Sequence, residues 1–243
     1  MKKYWKTLLL AALGIALTVF FLAIMRPPGG QRSAPGQDLP WQITVGPGGA
    51  TSTVFGLTLG ESSLQDAVNK LGRRYELGLF EDRAGRLSLE AYFRDAVVGG
   101  VNARLVLAVR LPETALAALK THAGKGKPTA SGIHRYPVAE TDHDLAMGGV
   151  VAAITYLPMV KFDADLVRQR FGEPAERIAA EGGAHWLYPA LGLDLLLGDK
   201  GEALLQYAPP AEFEEQLRAP LRNAPHPPPQ EGRESTPGPE QRP

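Results

Sequence analysis

The stretch ETDHDLA, Glu140 to Ala146, is the densest run of chemically capable groups in the chain, with Asp142, His143 and Asp144 side by side. A carboxylate beside an imidazole orients a general base, and the same residue types ligate divalent metals. Adjacent residues converge on one point only where a loop folds around them, so the run reads as a solvated turn. His134 and His185 are the histidines able to join His143, yet each stands beside a strand-like aromatic, an ordinary place for a half-exposed imidazole. Glu214 and Glu215 fall on a solvated helix, and Glu173, Glu176 and Glu181 spread along a turn and strand. Either set would work as general acid and base only if burial raised one pKa. The chain has no cysteine, which removes thiol chemistry. No G-x-S-x-G, H-E-x-x-H or P-loop pattern occurs, and GLTLGES lacks both the spacing and the lysine of a phosphate loop. No catalytic, cofactor-binding or metal residue is therefore assigned, and a non-enzyme is expected.

What remains is recognition. Formal charge is zero and no basic run lies outside the N-terminus, which argues against a nucleic-acid partner. Arg73, Arg74, Arg168, Arg170 and Arg177 read as the charged outer face of helices. Tyr92, Tyr136, Tyr156, Trp186, Tyr188 and Tyr207 stand on strand candidates, where most aromatics pack into a core. Trp186 and Tyr188 are two apart and so share one face of a strand. They are the candidate partner-binding pair.

The elements that must position these residues begin after an apolar end. Residues 1–6, MKKYWK, precede nineteen uncharged residues, Thr7 to Met25, which as a helix would span roughly 28 Å, close to a bilayer's hydrocarbon thickness. A signal peptide would have a shorter apolar region and a small-x-small cleavage site, whereas MRPPGG follows here. Lys2, Lys3 and Lys6 before the span, against Arg26 and Arg32 after it, favour a cytoplasmic N-terminus. The expectation is a single-pass bacterial inner-membrane protein with a periplasmic domain, its lipid-bilayer contact made by residues 7–25. Residues 26–38 form a Gly/Pro linker, and residues 219–243, rich in Pro, Glu, Gln and Ser, are expected as a disordered tail. With 44% hydrophobic residues, the part between can bury a core without disulfides.

That part reads as α+β. GPGGAT between WQITV and STVFGL signals a hairpin. A helix capped by Ser62 or Ser63, with Leu64, Ala67, Val68 and Leu71 on one face, stops at Gly72. Strands follow at YELGLF, LSLEAYF and VNARLVLAV, then a helix at LPETALAALKTHAG and strands at SGIHRYPV and VVAAITYLP. One hundred residues after the first helix the pattern returns. Asp163 caps, Phe162 staples against Val167, and Gly172 and Pro174 end the helix, with both glycines expected in the left-handed conformation. ERIAAEG, HWLYP, LDLLLG and ALLQYAP follow as strands. The expected architecture is two similar units, each a helix plus an antiparallel meander: residues 39–157 with a connecting segment, and residues 158–218.

The second unit, DADLVRQRFGEPAERI followed by HWLYPALGLDLLL, resembles the helix, Gly-x-Pro turn and strand pattern of the small SmpA/OmlA-type proteins of the bacterial outer-membrane assembly machinery. The β-lactamase inhibitory protein is similar in architecture. FGLTLGESSLQDAVNKLG in the first unit matches more loosely, and the chain departs from the envelope family in lacking the lipid-bearing cysteine. The resemblance implies helices packed on an antiparallel sheet and a protein-binding habit. The function expected is a membrane-anchored periplasmic module that binds another envelope protein. The alternatives are an inhibitor-like module acting on an exported enzyme through a protruding loop such as THAGKGKPTASG, and a hydrolase or metal-dependent enzyme without a recognisable motif.

Overall fold

Alternation of apolar and polar residues in the strands sorts them onto two faces, one packed under helices along its length and the other covered by the C-terminal segment over one half. The computed structural model describes residues 38–129 and 132–223. The expected cytoplasmic segment, membrane span and most of the linker and tail lie outside these residues. Among the described residues no helix is long and apolar enough to cross a membrane. The strands are β1 (Thr44–Val45), β2 (Ser52–Val54), β3 (Leu57–Thr58), β4 (Glu76–Glu81), β5 (Leu87–Val98), β6 (Val101–Arg110), β7 (Lys127–Pro128), β8 (His134–Pro137), β9 (Val150–Pro158), β10 (Glu176–Ala180), β11 (Gly183–Tyr188), β12 (Leu193–Gly198) and β13 (Ala203–Tyr207). The helices are α1 (Leu64–Leu71), α2 (Glu113–His122), α3 (His143–Met147), α4 (Ala164–Phe171) and α5 (Ala219–Arg222). The fold is α+β, with a ten-stranded antiparallel sheet in the order β10-β11-β12-β13-β9-β6-β5-β4-β8-β7 and a separate sheet of β1 to β3.

Both meanders run toward β9, which pairs with β6 on one side and β13 on the other. The first face of the large sheet carries Leu79, Leu89, Phe93, Leu105, Leu107, Ile154, Tyr156, Leu195, Leu205 and Tyr207, packed under Leu64, Ala67 and Val68 of α1, Leu116 and Leu119 of α2, and Val167 of α4. Burying each such leucine contributes about 2 kcal/mol. The second face is covered over β10 to β13 by the C-terminal segment, through Leu187, Ala208, Phe213, Leu217 and Leu221. Residues 219–222, expected in the tail, are thus helical, with Pro220 and Leu221 buried. The reason is that Leu221 sits one turn after Leu217 on the same apolar stripe.

Two helices share one punctuation at an interval of one hundred residues. In α1 the Ser63 hydroxyl accepts from Asp66 N–H while the Asp66 carboxylate accepts from Ser63 N–H, a full capping box. In α4 the Asp163 carboxylate accepts from Leu166 N–H at 2.7 Å. Gly72 and Gly172 follow with φ 102° and 82°, but ψ is 165° and −169°. The positive φ agrees with the sequence. The left-handed conformation does not, because the chain leaves each helix directly into an extended segment, a backbone region that only glycine occupies freely.

Candidate functional site: the uncovered half of the second sheet face

On β4, β5 and β6 the second face carries a row of small residues interrupted by one acid. Gly78 stands opposite Glu90, Glu90 opposite Ala108, and Ala108 opposite Ala153 of β9. Gly78 has no side chain because the space is occupied: a Cβ there would lie 2.7 Å from the Phe80 ring and 3.0 Å from Arg135 Nε. Phe80 and Arg135 therefore lean across Gly78 beside Glu90. Glu90 is 5% exposed. Burial pushes its carboxyl up to about 8, with the Arg135 guanidinium acting in the opposite direction. Among the described residues nothing hydrogen-bonds or ion-pairs with it.

Tyr92 follows two residues along the same face. Its hydroxyl is buried and has no hydrogen-bond partner, and burial raises its pKa against the opposing pull of Arg104 and Arg94. Arg94 lies 5.8 Å from the Tyr92 ring centroid and pairs with Glu76 at 3.0 Å, while Arg135 reaches the other Glu76 oxygen at 3.3 Å. A buried carboxyl whose pKa is pushed up to about 8 and a phenol thus stand together under an arginine rim. A buried polar group without a partner costs about 1–3 kcal/mol. A ligand bringing an acceptor would recover that cost at the Tyr92 hydroxyl.

Three further polar clusters hold their members in closed contacts. Glu81 accepts from Lys120 Nζ at 2.5 Å and from Tyr136 Oη at 2.7 Å, and Lys120 lies 3.4 Å above the Tyr136 ring. The Lys120 and Tyr136 donors hold the Glu81 carboxyl below its ordinary value. Asp142 is not in a solvated turn: it is buried, and both its carboxylate oxygens lie 3.0–3.1 Å from His122 Nδ1. The sequence missed this pair because α2 and α3 bring together residues twenty apart. His185 Nδ1 lies 3.0 and 2.9 Å from the two oxygens of fully buried Asp194. Burial raises the Asp194 pKa and His185 opposes it. Such a pair fixes an imidazole as a general base, but no hydroxyl nucleophile is hydrogen-bonded to it among the described residues. His143, His134 and His185 do not converge, and His134 stacks on Tyr136 instead. Among the described residues no three His, Asp or Glu side chains form a metal site.

Trp186 and Tyr188 are not a surface pair. They do share a face, but each is only 5% exposed and both belong to the main core. That face of β11 looks toward α4. The Tyr188 hydroxyl donates to Gly172 O at 3.1 Å, and the Phe171 and Tyr188 rings pack 5.9 Å apart. Arg168 and Arg177 close over Trp186 at 5.4 and 4.0 Å, and Glu173 bridges the two guanidinium groups. Pro174 lies in the turn between α4 and β10. Of the helix-end carboxylates, Glu176 accepts from Arg218 and Arg222 and ties the C-terminal segment to β10. Within the stretch THAGKGKPTASG, Lys127–Pro128 form β7 and pair with β8 at the sheet edge. The sequence did carry one sign of the Glu90 face, an isolated glycine inside the strand pattern YELGLF, where close approach of another group is the usual cause.

Comparison of the chain with protein-family models, with curated proteins and with solved structures finds no match.

Proposed function

We propose that this chain is a non-catalytic, membrane-anchored protein-binding module of the bacterial envelope, held by residues 7–25 with its folded domain in the periplasm. The observation that carries the binding reading is the Tyr92 hydroxyl, buried without a partner two residues along the strand from the buried Glu90. A fold that leaves a buried phenol unsatisfied on a sheet half bearing no helix among the described residues gains most from a partner that supplies an acceptor there. The recognition surface is thereby the partly exposed rim of Tyr92, Arg94, Arg104 and Arg135, over buried Phe80, Glu90 and Val106, rather than the face of Trp186 and Tyr188, which α4 covers.

The equal lengths, caps and glycine stops of α1 and α4, at an interval of one hundred residues, support reading the two helix-plus-meander units as copies of one module of the SmpA/OmlA type. The two copies differ in size, with β4 to β6 after α1 and β10 to β13 after α4. The anchored topology rests on the uncharged nineteen-residue run and its preceding lysines. Alkaline phosphatase fused after Pro243 tests it. Activity of that fusion supports export, and a fusion folded and active only in the cytoplasm overturns it. For recognition, Tyr92→Phe in the full chain removes the hydroxyl alone, so partner binding falls while thermal stability holds or rises. Unchanged binding in that variant would move the recognition face elsewhere.

A further inference from the structure

The first described residues tie together the C-terminal ends of the two equivalent helices. Asp38 pairs with Lys70 Nζ at 2.8 Å, in the last turn of α1. Three residues on, the Trp41 ring lies under the Arg170 guanidinium at 4.7 Å, in the last turn of α4. Arg73 and Arg74 follow the α1 stop directly and are exposed, and neither has an ion-pair partner among the described residues. The acids of this end are engaged: Asp38 by Lys70, Glu173 by Arg168 and Arg177. The end of the domain from which the chain runs back toward its apolar segment is therefore a basic surface with a half-buried tryptophan in it. The twelve residues between Met25 and Asp38 reach at most about 40 Å when extended, so this end can touch a bilayer that holds the apolar segment.

We infer that this end, formed by Trp41, Lys70, Arg73, Arg74 and Arg170, docks on an anionic lipid headgroup surface. The inference rests on the anchored reading of residues 7–25. Docking orients the sheet relative to the bilayer and presents the Glu90 face in a fixed direction instead of on a free tether. Basic side chains at an anionic leaflet each contribute roughly fivefold to association, and indole rings favour the interface, so three unpaired or ring-stacked arginines with Trp41 hold a tethered domain down.

The absence of cysteine makes the test direct. Asn69→Cys, on the exposed last turn of α1, carries a single fluorophore, and Thr121→Cys on α2 serves as the distant reference in the full chain. Each is reconstituted in phosphatidylcholine vesicles with and without one quarter phosphatidylglycerol, together with a headgroup spin-labelled lipid. The expected result is strong quenching at position 69 only when phosphatidylglycerol is present. High salt, or the combination R73E, R74E and R170E, should abolish it. Quenching at 69 that matches position 121, or that ignores lipid charge and salt, overturns docking. Flotation with neutral vesicles after carbonate wash reads the anchor separately. A chain that fails to float there but binds phosphatidylglycerol vesicles keeps the docking surface and loses the anchor.

Discussion

Glu90 gives the account its sharpest physical handle. Burial pushes its carboxyl from 4.5 up to about 8, and each pH unit in that interval is worth about 1.4 kcal/mol. Ionising Glu90 in the folded domain thus costs on the order of 5 kcal/mol relative to the unfolded chain. The folded protein keeps a proton that the unfolded chain has already released above pH 4.5. Its contribution to stability is accordingly full below that pH and is lost as the pH rises through about 8. Glu90→Gln keeps the shape and a donor but cannot ionise. Urea unfolding of the wild type and the variant, from pH 4 to 9, isolates this group, since every other titration cancels in the difference. The variant should gain on the wild type by about 1.4 kcal/mol per pH unit across the interval and end several kcal/mol more stable. A difference that stays flat over the whole range would mean that Glu90 ionises freely, and the argument for an uncompensated buried carboxyl would fail.

Gly172→Ala adds a methyl that meets nothing within 4 Å, so its cost is backbone strain alone, about 1–2 kcal/mol, or roughly 2–8 °C in melting temperature for a domain of this size; Gly148→Ala, at φ −73°, is the control and should be close to neutral. Trp186→Ala should lower stability by about 3–5 kcal/mol in denaturant unfolding, as a core loss does; a variant with unchanged melting would return Trp186 to the surface. Ser63→Ala and Asp163→Ala each remove a cap and should cost about 1 kcal/mol apiece, additively, because they sit on separate helices. Leu217→Ala should cost about 2–4 kcal/mol by opening the cover over Leu187 and Ala208, and a negligible loss would show the C-terminal segment to be dispensable.

Legibility followed the range of the interactions. Ser63, Asp163, Gly72 and Gly172 were readable because caps and stops are local, and VNARLVLAV was readable because alternation reports which face is buried. The short α3 was not, since five residues from His143 to Met147 give less than two helical turns of periodicity. Trp186 and Tyr188 were assigned to one face correctly, but which face of β11 meets α4 depends on the sheet order, to which two-residue spacing is blind. Glu90 carries no sign of burial in the sequence, since it alternates with the apolar Leu89 and Ala91 as a solvent-facing residue would. Its burial comes from Phe80 and Arg135 across the register with Gly78, contacts separated by 10 to 45 residues. The pairs His122 with Asp142 and His185 with Asp194 are likewise products of topology.

Photo-crosslinking in native membranes tests the recognition face most directly. A photoreactive phenylalanine analogue replaces Arg104, on the rim of the Glu90 and Tyr92 face, in the full-length chain, with Thr121 on exposed α2 as the reference. The account predicts one discrete crosslinked envelope protein from position 104, absent from position 121 and lost when Tyr92→Phe is added. Crosslinks of equal strength from both positions, or a position 104 adduct indifferent to Tyr92→Phe, would contradict it.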